Sequence, residues 1–227
     1  MPKRPVADAM APKRPTCTTC LRPQSTCICQ WITPTAHAVE VVILQHPLEV
    51  HNAKGSARLL HLSLPHSQLV TGEVFSSPAM QALLAGPRQA LLLYPDTPDT
   101  PHTPHTTGSP DTPDRPDKRV TSAAPALSRE LLQSSTQLRL IVLDGTWRKS
   151  RKMLHLNPQL QHIPRLALRN LPASHYLIRK AHRPDQLSTL EATCAALTQL
   201  EGNAAQFQLL LAAFDGFVAQ QLAYSMK

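Results

Sequence analysis

The stretch IVLDGTWRKSRKML, residues 141–154, decides how the rest of the chain is read. Its apolar run, Ile141-Val142-Leu143, stops at Asp144-Gly145-Thr146-Trp147, and four basic residues follow at once: Arg148, Lys149, Arg151 and Lys152. Asp-Gly is a strong hairpin signal, but a hairpin needs a second alternating strand. TWRKSRKMLHL does not alternate. Trp147, Ser150, Met153 and Leu154 fall at helical spacing, with the charges on the other side. The expectation is therefore strand, tight turn, helix. Asp144 and Gly145 then sit at the carboxyl end of a strand and beside a helix N-terminus, where open α/β sheets hold ligands. A simple turn, with Asp144 as helix N-cap, is the alternative.

Working outward, the same alternation of strand and helix recurs. VEVVIL (39–44), QLVTG (68–72), QALLLYP (89–95) and QLRLIVL (137–143) read as strands, the third ending at Tyr94-Pro95. NAKGSARLLHLSL (52–64) reads as a helix capped by Asn52. SPAMQALLAG (77–86) carries Ser77 as N-cap, Pro78 at the first helical position and Gly86 as stop. LSRELLQS (127–134) is a further helical segment, and NPQLQHIPRLAL (157–168) offers a turn and a strand. Ser188 and Glu191 fit a capping box, and Gly202 ends that helix. A final amphipathic helix places Phe207, Leu211, Phe214, Phe217 or Val218, and Leu222 on one face. The fold class expected is α/β, a mostly parallel sheet with helices on both faces.

Other segments have their own character. Residues 1–16 repeat PKRP and read as a disordered basic arm; they lack the apolar core of a secretory signal. Between about 96 and 120, prolines recur every third residue, as in polyproline II. This tract has little to bury and reads as a disordered insertion within one α/β domain spanning 38–227. The formal net charge of +8 points to an anionic partner, nucleic acid or a membrane surface. No apolar run approaches the roughly 20 residues of a transmembrane helix.

Four of the five cysteines cluster in CTTCLRPQSTCIC: Cys17, Cys20, Cys27 and Cys29. Two close pairs of soft ligands can complete a zinc tetrahedron, so residues 17–37 read as a zinc knuckle. A disulfide or redox pair is the alternative, weakened by the reducing, cytoplasmic compartment expected of a chain without a secretory signal. Cys194, alone in LEATCAAL, reads as a small buried side chain. There is no Walker loop, no G-x-G-x-x-G and no G-x-S-x-G, and 7 glycines leave little for a glycine-rich phosphate cradle.

The cysteine cluster, LDGTW, SHYLIRK (174–180) and LSTLEA (187–192) occur in that order, and together they resemble the DTW-domain family of tRNA-uridine aminocarboxypropyltransferases. The resemblance covers Cys17 to the end of the chain; the proline tract departs from it. It implies transfer of the 3-amino-3-carboxypropyl group of S-adenosylmethionine to N3 of a uridine in tRNA. It also implies a SPOUT-like α/β fold with a knotted C-terminal part. Asp144 becomes the candidate base or orienter for uridine N3–H. The expected cofactor-binding residues are Tyr94, Pro95, Asp144, Gly145, Thr146, Trp147, Ser188, Thr189 and Glu191. The helix start at Ser188 would face the donor's carboxylate and Glu191 its ammonium. Arg148, Lys149, Arg151, Lys152, Arg179, Lys180 and Arg183 would face RNA phosphate. The expected protein is a monomer without membrane contact. Two other readings stay open: a SPOUT-like RNA methyltransferase, and a non-enzymatic zinc-knuckle RNA-binding protein.

Overall fold

A computed structural model describes residues 15–95, 134–169 and 187–225. The basic arm, the proline tract, most of the 127–134 segment and Arg179, Lys180 and Arg183 lie outside these residues. Five strands form one sheet in the order β2-β1-β4-β3-β5, every neighbouring pair parallel. They are β1 (Glu40–Gln45), β2 (Ser67–Thr71), β3 (Gln89–Leu93), β4 (Leu138–Asp144) and β5 (Arg165–Leu166). β1 and β4 read as unbroken apolar runs because parallel strands under helices are buried on both faces. β2 lies at an edge and only alternates weakly in burial.

Successive residues of a strand point to opposite faces. Val41, Ile43, Leu91, Leu140 and Val142 form one core with Leu59 and Leu60 of α1 (Ala57–Ser63), Leu190 and Leu197 of α5 (Thr189–Glu201) and Phe214 of α6 (Gln208–Ser225). Val42, Leu44, Leu92 and Ile141 form the other with Met80 of α2 (Ser77–Leu84), Met153 and Leu154 of α3 (Trp147–Leu156) and Leu160 of α4 (Pro158–Gln161). Helices thus cover both faces, as the sequence indicates. Each such aliphatic side chain contributes about 1.5–3 kcal/mol when fully buried.

Helix boundaries differ from the sequence reading in small, explicable ways. Ser76, not Ser77, caps α2, its hydroxyl accepting from the Ala79 N–H at 3.4 Å. Ser56, not Asn52, precedes α1; Asn52 instead closes a turn by accepting from the Lys54 N–H at 3.0 Å. Thr146 caps α3 by accepting from the Lys149 N–H, so Asp144 is not the cap. The capping box of Ser188 and Glu191 is present, and Gly202 ends α5 in the left-handed region at φ 70°. Phe207 is buried in the turn just before the last helix, and on the helix the buried set is Leu210, Phe214, Phe217, Val218 and Gln221; Leu211 is only half-buried and Leu222 is exposed.

The cysteine segment packs onto α6. Trp31 lies so close to Gly216 that a Cβ there would stand 2.2 Å from its ring. The Trp31 indole N–H donates to Gln220 Oε1, Gln220 Nε2 donates to the Cys27 carbonyl at 3.2 Å, and the Tyr224 hydroxyl donates to the Ser25 carbonyl at 2.7 Å.

Candidate active site and cysteine cluster

β1 and β4 end side by side, with Gln45 in register with Asp144. Asp144 is buried, and its carboxylate is fixed from two elements: Oδ2 accepts from Gln45 Nε2 at 2.9 Å, and Oδ1 accepts from the Thr189 hydroxyl at 2.7 Å. Thr189 is the first residue of α5, so the strand end and the helix start meet at this carboxylate. A cleft of about 90 Å³ opens beside them, lined by Asp144, Gly145, Ser188 and Thr189 together with Glu49, Asn52, Lys54, Gly55 and Ser56. That is a few waters' worth of space. It suits the compact end of a substrate better than a nucleoside.

Another part of the cleft lining comes from the segment after β1. Glu49 is buried, with Oε1 accepting from Lys149 Nζ at 2.8 Å and Oε2 from Asn52 Nδ2 at 2.7 Å. Ser56 ties this segment to α5, its hydroxyl accepting from the Leu190 N–H at 3.3 Å. The His46 N–H donates to the Asp144 carbonyl at 2.9 Å. His46 Nδ1 accepts from the Leu48 N–H, which leaves the proton on Nε2 to donate to Glu73 at 2.8 Å. The hydrogen bond from Lys152, and then that from His46, hold the Glu73 carboxyl below its usual range.

Of the residues singled out from sequence, Asp144, Gly145, Ser188 and Thr189 come together in one cleft. Thr146 is the α3 cap. Trp147 stacks on Tyr94, with ring centroids 5.2 Å apart and planes at 16°, and the Arg165 guanidinium lies 5.1 Å from the Tyr94 ring centre. Tyr94 is buried while Trp147 is 45% exposed, so this stack forms a half-open aromatic shelf at the carboxyl ends of β3 and β4. The Pro95 carbonyl accepts from Arg165. Glu191 Oε2 accepts from the Ser188 N–H at 2.7 Å, which turns this carboxylate to the helix start. The space beside Gly145 is filled by Lys149, Ser150 and His46, so its missing side chain accommodates protein neighbours. Arg148 and Arg151 are exposed on α3, whereas Lys149 turns to Glu49 and Lys152 to Glu73.

Gln45 and Glu49 are site residues that the sequence reading passes over. The QHPLEVHN segment reads as an ordinary loop because nothing local marks it. Its one signal is position: polar residues directly after a buried parallel strand.

None of the five cysteines is in a disulfide. The sulfurs of Cys17 and Cys29 are 3.5 Å apart, those of Cys20 and Cys27 are 3.7 Å apart, and all four lie within 4.8 Å of one another. A tetrahedron with zinc–sulfur bonds of about 2.3 Å has edges of about 3.8 Å, so the four fit one ion. The backbone N–H groups of Cys20 and Thr19 hold the Cys17 thiol down to about 6. Burial, then the neighbouring sulfurs, push Cys29 up to about 12. One thiolate therefore forms readily, and the last forms when a cation offsets the accumulating charge. Burial, then the charge of Glu191, pushes Cys194 up to about 12, which makes it an inert core thiol.

Comparison with known proteins gives a consistent picture. The family model for the DTW domain matches residues 14–222. The chain is 27% identical over 221 residues to proteins named tRNA-uridine aminocarboxypropyltransferase 2 from Macaca fascicularis and from Mus musculus. Each alignment covers 94% of this chain and 66% of the relative, so the chain spans slightly under two thirds of their length. A Drosophila melanogaster protein of the same name is 28% identical over 197 residues, covering 83% of this chain and 68% of the relative. No solved structure matches.

Proposed function

Because the chain belongs to the DTW-domain family, we propose that it is a tRNA-uridine aminocarboxypropyltransferase. It transfers the 3-amino-3-carboxypropyl group of S-adenosylmethionine to N3 of a uridine in tRNA. The observation that carries the reading is Asp144: a buried carboxylate at a strand end, locked by Gln45 and Thr189, on a small cleft at the start of a long helix.

The reaction asks for positioning more than for covalent chemistry. N3 of uridine attacks the γ-carbon, the new N–C bond forms as the C–S bond breaks, and sulfur leaves with the electron pair as 5′-methylthioadenosine. The N3 proton goes to Asp144. Gln45 and Thr189 each donate to one Asp144 oxygen and so orient the base. The Tyr94–Trp147 shelf is wide and flat enough for a nucleobase or the donor's adenine. Arg148 and Arg151, exposed on α3, supply phosphate contacts, with Arg179, Lys180 and Arg183 extending them.

Cys17, Cys20, Cys27 and Cys29 would hold zinc, which supplies folding energy there. A reducing compartment, the cytoplasm, keeps those thiols available. No helix among the described residues is long and apolar enough to cross a membrane. The SPOUT-like reading with a knotted C-terminal part is supported by the all-parallel sheet and by α5 and α6 packing back over β1 and β4.

Product chemistry tests the reading. Incubation with S-adenosylmethionine and tRNA, followed by chromatography, should yield 5′-methylthioadenosine and a tRNA uridine heavier by the aminocarboxypropyl group. S-adenosylhomocysteine as the sole by-product would instead establish a methyltransferase. Neither product, with tight tRNA binding, would establish a binding module.

A further inference from the structure

We propose that Arg22 is a positioning residue that couples the cysteine cluster to the candidate active site: the state of the cluster sets the order of the turn that lines the cleft. The inference takes its ligand from the S-adenosylmethionine reading above. Asn52, Lys54, Gly55 and Ser56 line the cleft with Asp144. They belong to the turn that leads into α1, and the Gly55 N–H closes that turn by donating to the Asn52 carbonyl at 2.9 Å. Arg22 grips the turn from the cysteine loop. One terminal guanidinium nitrogen donates to the Ala53 carbonyl at 2.6 Å and the other to the Gly55 carbonyl at 3.0 Å. A second contact runs the other way: Arg58, at the start of α1, donates to the Thr19 carbonyl at 3.0 Å.

Both contacts begin inside the cluster. Thr19 and Arg22 lie between Cys17 and Cys27 in sequence. The peptide whose carbonyl Arg58 engages is the one whose N–H, that of Cys20, donates to the Cys17 sulfur. The Arg22 carbonyl accepts from the Cys17 N–H at 2.8 Å, and Leu21 before it is left-handed at φ 58°. A residue with a side chain keeps that conformation only where neighbouring contacts hold it. The Arg22 guanidinium also lies 5.3 Å from the Phe217 ring centre on α6, which aims its planar fork at the two carbonyls. Without a cation, sulfurs that all lie within 4.8 Å of one another repel as they ionise, and the loop that carries Arg22 loosens. Ordering the cleft turn then falls to the ligand, which binds more weakly.

Titration calorimetry with S-adenosylmethionine on the full chain, zinc-bound and after chelation, separates this role from a merely structural one. Arg22→Met keeps an aliphatic stem near Phe217 and removes both hydrogen bonds. Wild type should lose roughly tenfold in affinity when zinc is removed, within the usual range for coupled sites. Zinc-bound Arg22→Met should show a loss of similar size while still retaining its zinc, and chelation should then change its affinity by less than about twofold. Arg22→Lys, which keeps the charge without the fork, should fall between. Hydrogen exchange in zinc-bound Arg22→Met should quicken at residues 53–56 and leave α5 protected, which also shows that the variant is folded. A wild-type affinity indifferent to zinc would overturn the coupling, as would losses from chelation and from Arg22→Met that simply add. So would unchanged exchange at residues 53–56. A wild-type chain that binds no S-adenosylmethionine would overturn the donor reading alone, and the exchange at residues 53–56 in Arg22→Met and in chelated wild type would then decide the coupling by itself.

Discussion

Asp144→Asn keeps the shape of the side chain and removes its charge. Gln45 can rotate its amide to meet the new NH₂ group, and the Thr189 hydroxyl can still donate to the remaining oxygen, so the fold should tolerate the change. If Asp144 is the base for N3–H, Asn should lose a factor of about 10² or more in turnover while donor binding persists. Single-turnover rates on tRNA check this; a variant with full activity would reduce Asp144 to a structural hydrogen-bond acceptor. Thr146 already caps α3, so a capping role for Asp144 cannot explain such a loss. Gly216 is informative for the opposite reason, since it has no chemistry. A Cβ there would meet the Trp31 ring at 2.2 Å, and the helix cannot yield without releasing the Gln220 and Tyr224 contacts. Gly216→Ala should therefore destabilise by about 1–3 kcal/mol, the usual cost of overpacking, despite the better helix propensity of alanine. Urea unfolding measures it, and a stabilised variant would mean that Trp31 repacks freely.

At the scale of elements, α3 splits its basic residues between two jobs. Arg148, Arg151 and Lys152 are exposed, Lys149 pairs with Glu49, and Lys152 also reaches Glu73. Replacing both arginines with Ala should lower the slope of log affinity for tRNA against log salt by roughly two units, just under one per phosphate contact. Lys149→Met should leave that slope in place, because this side chain is turned to Glu49. An unchanged slope in the double arginine variant would make the outer face of α3 a solvated surface. The strand–turn–helix unit that ends in α3 was legible in sequence because both of its periods are local: an apolar run, then buried positions three and four apart. Cap positions slipped where two candidates stand close together, as at Ser76 and Ser77, because the choice depends on the exit angle of the preceding loop. The face of α6 slipped for a similar reason. From Phe207 the next apolar residue inward is Leu210 rather than Leu211, and only packing against the sheet selects between a step of three and a step of four. Glu49 and Gln45 were illegible because their meaning depends on β1 ending beside β4, which is a fact of strand order.

For the molecule as a whole, pH and metal should act on the same folded unit. Burial holds His37 and His61 below their ordinary value of 6.5. His37 Nδ1 donates to the Val39 carbonyl at 2.7 Å, while Nε2 accepts from the His66 N–H at 3.2 Å, an arrangement that uses up the neutral ring. As pH falls through about 6.5, the unfolded chain takes up protons that the folded chain refuses, so the stability present above that value is lost progressively on acidification. The urea midpoint should fall between pH 7.5 and 5.5, and His37→Gln should flatten part of that fall; a midpoint independent of pH would contradict the buried, neutral histidines. A metal would act through the neighbouring cysteine segment. Cys17, Cys20 and Ile28 belong to the same apolar core as Phe217 and Val218 of α6, and the knuckle has little core of its own. An ion that binds only the folded cluster stabilises it by mass action, and its removal withdraws that contribution from α6 as well. Purified protein should contain one zinc per chain by elemental analysis. Treatment with a strong chelator under reducing conditions should lower Tm by several degrees and speed hydrogen exchange in α6 along with the knuckle, and Cys17→Ser with Cys20→Ser should reproduce both effects without chelator. Protection in α6 that survives metal loss, with only the knuckle exchanging faster, would show that Trp31 and Gln220 hold the two together unaided.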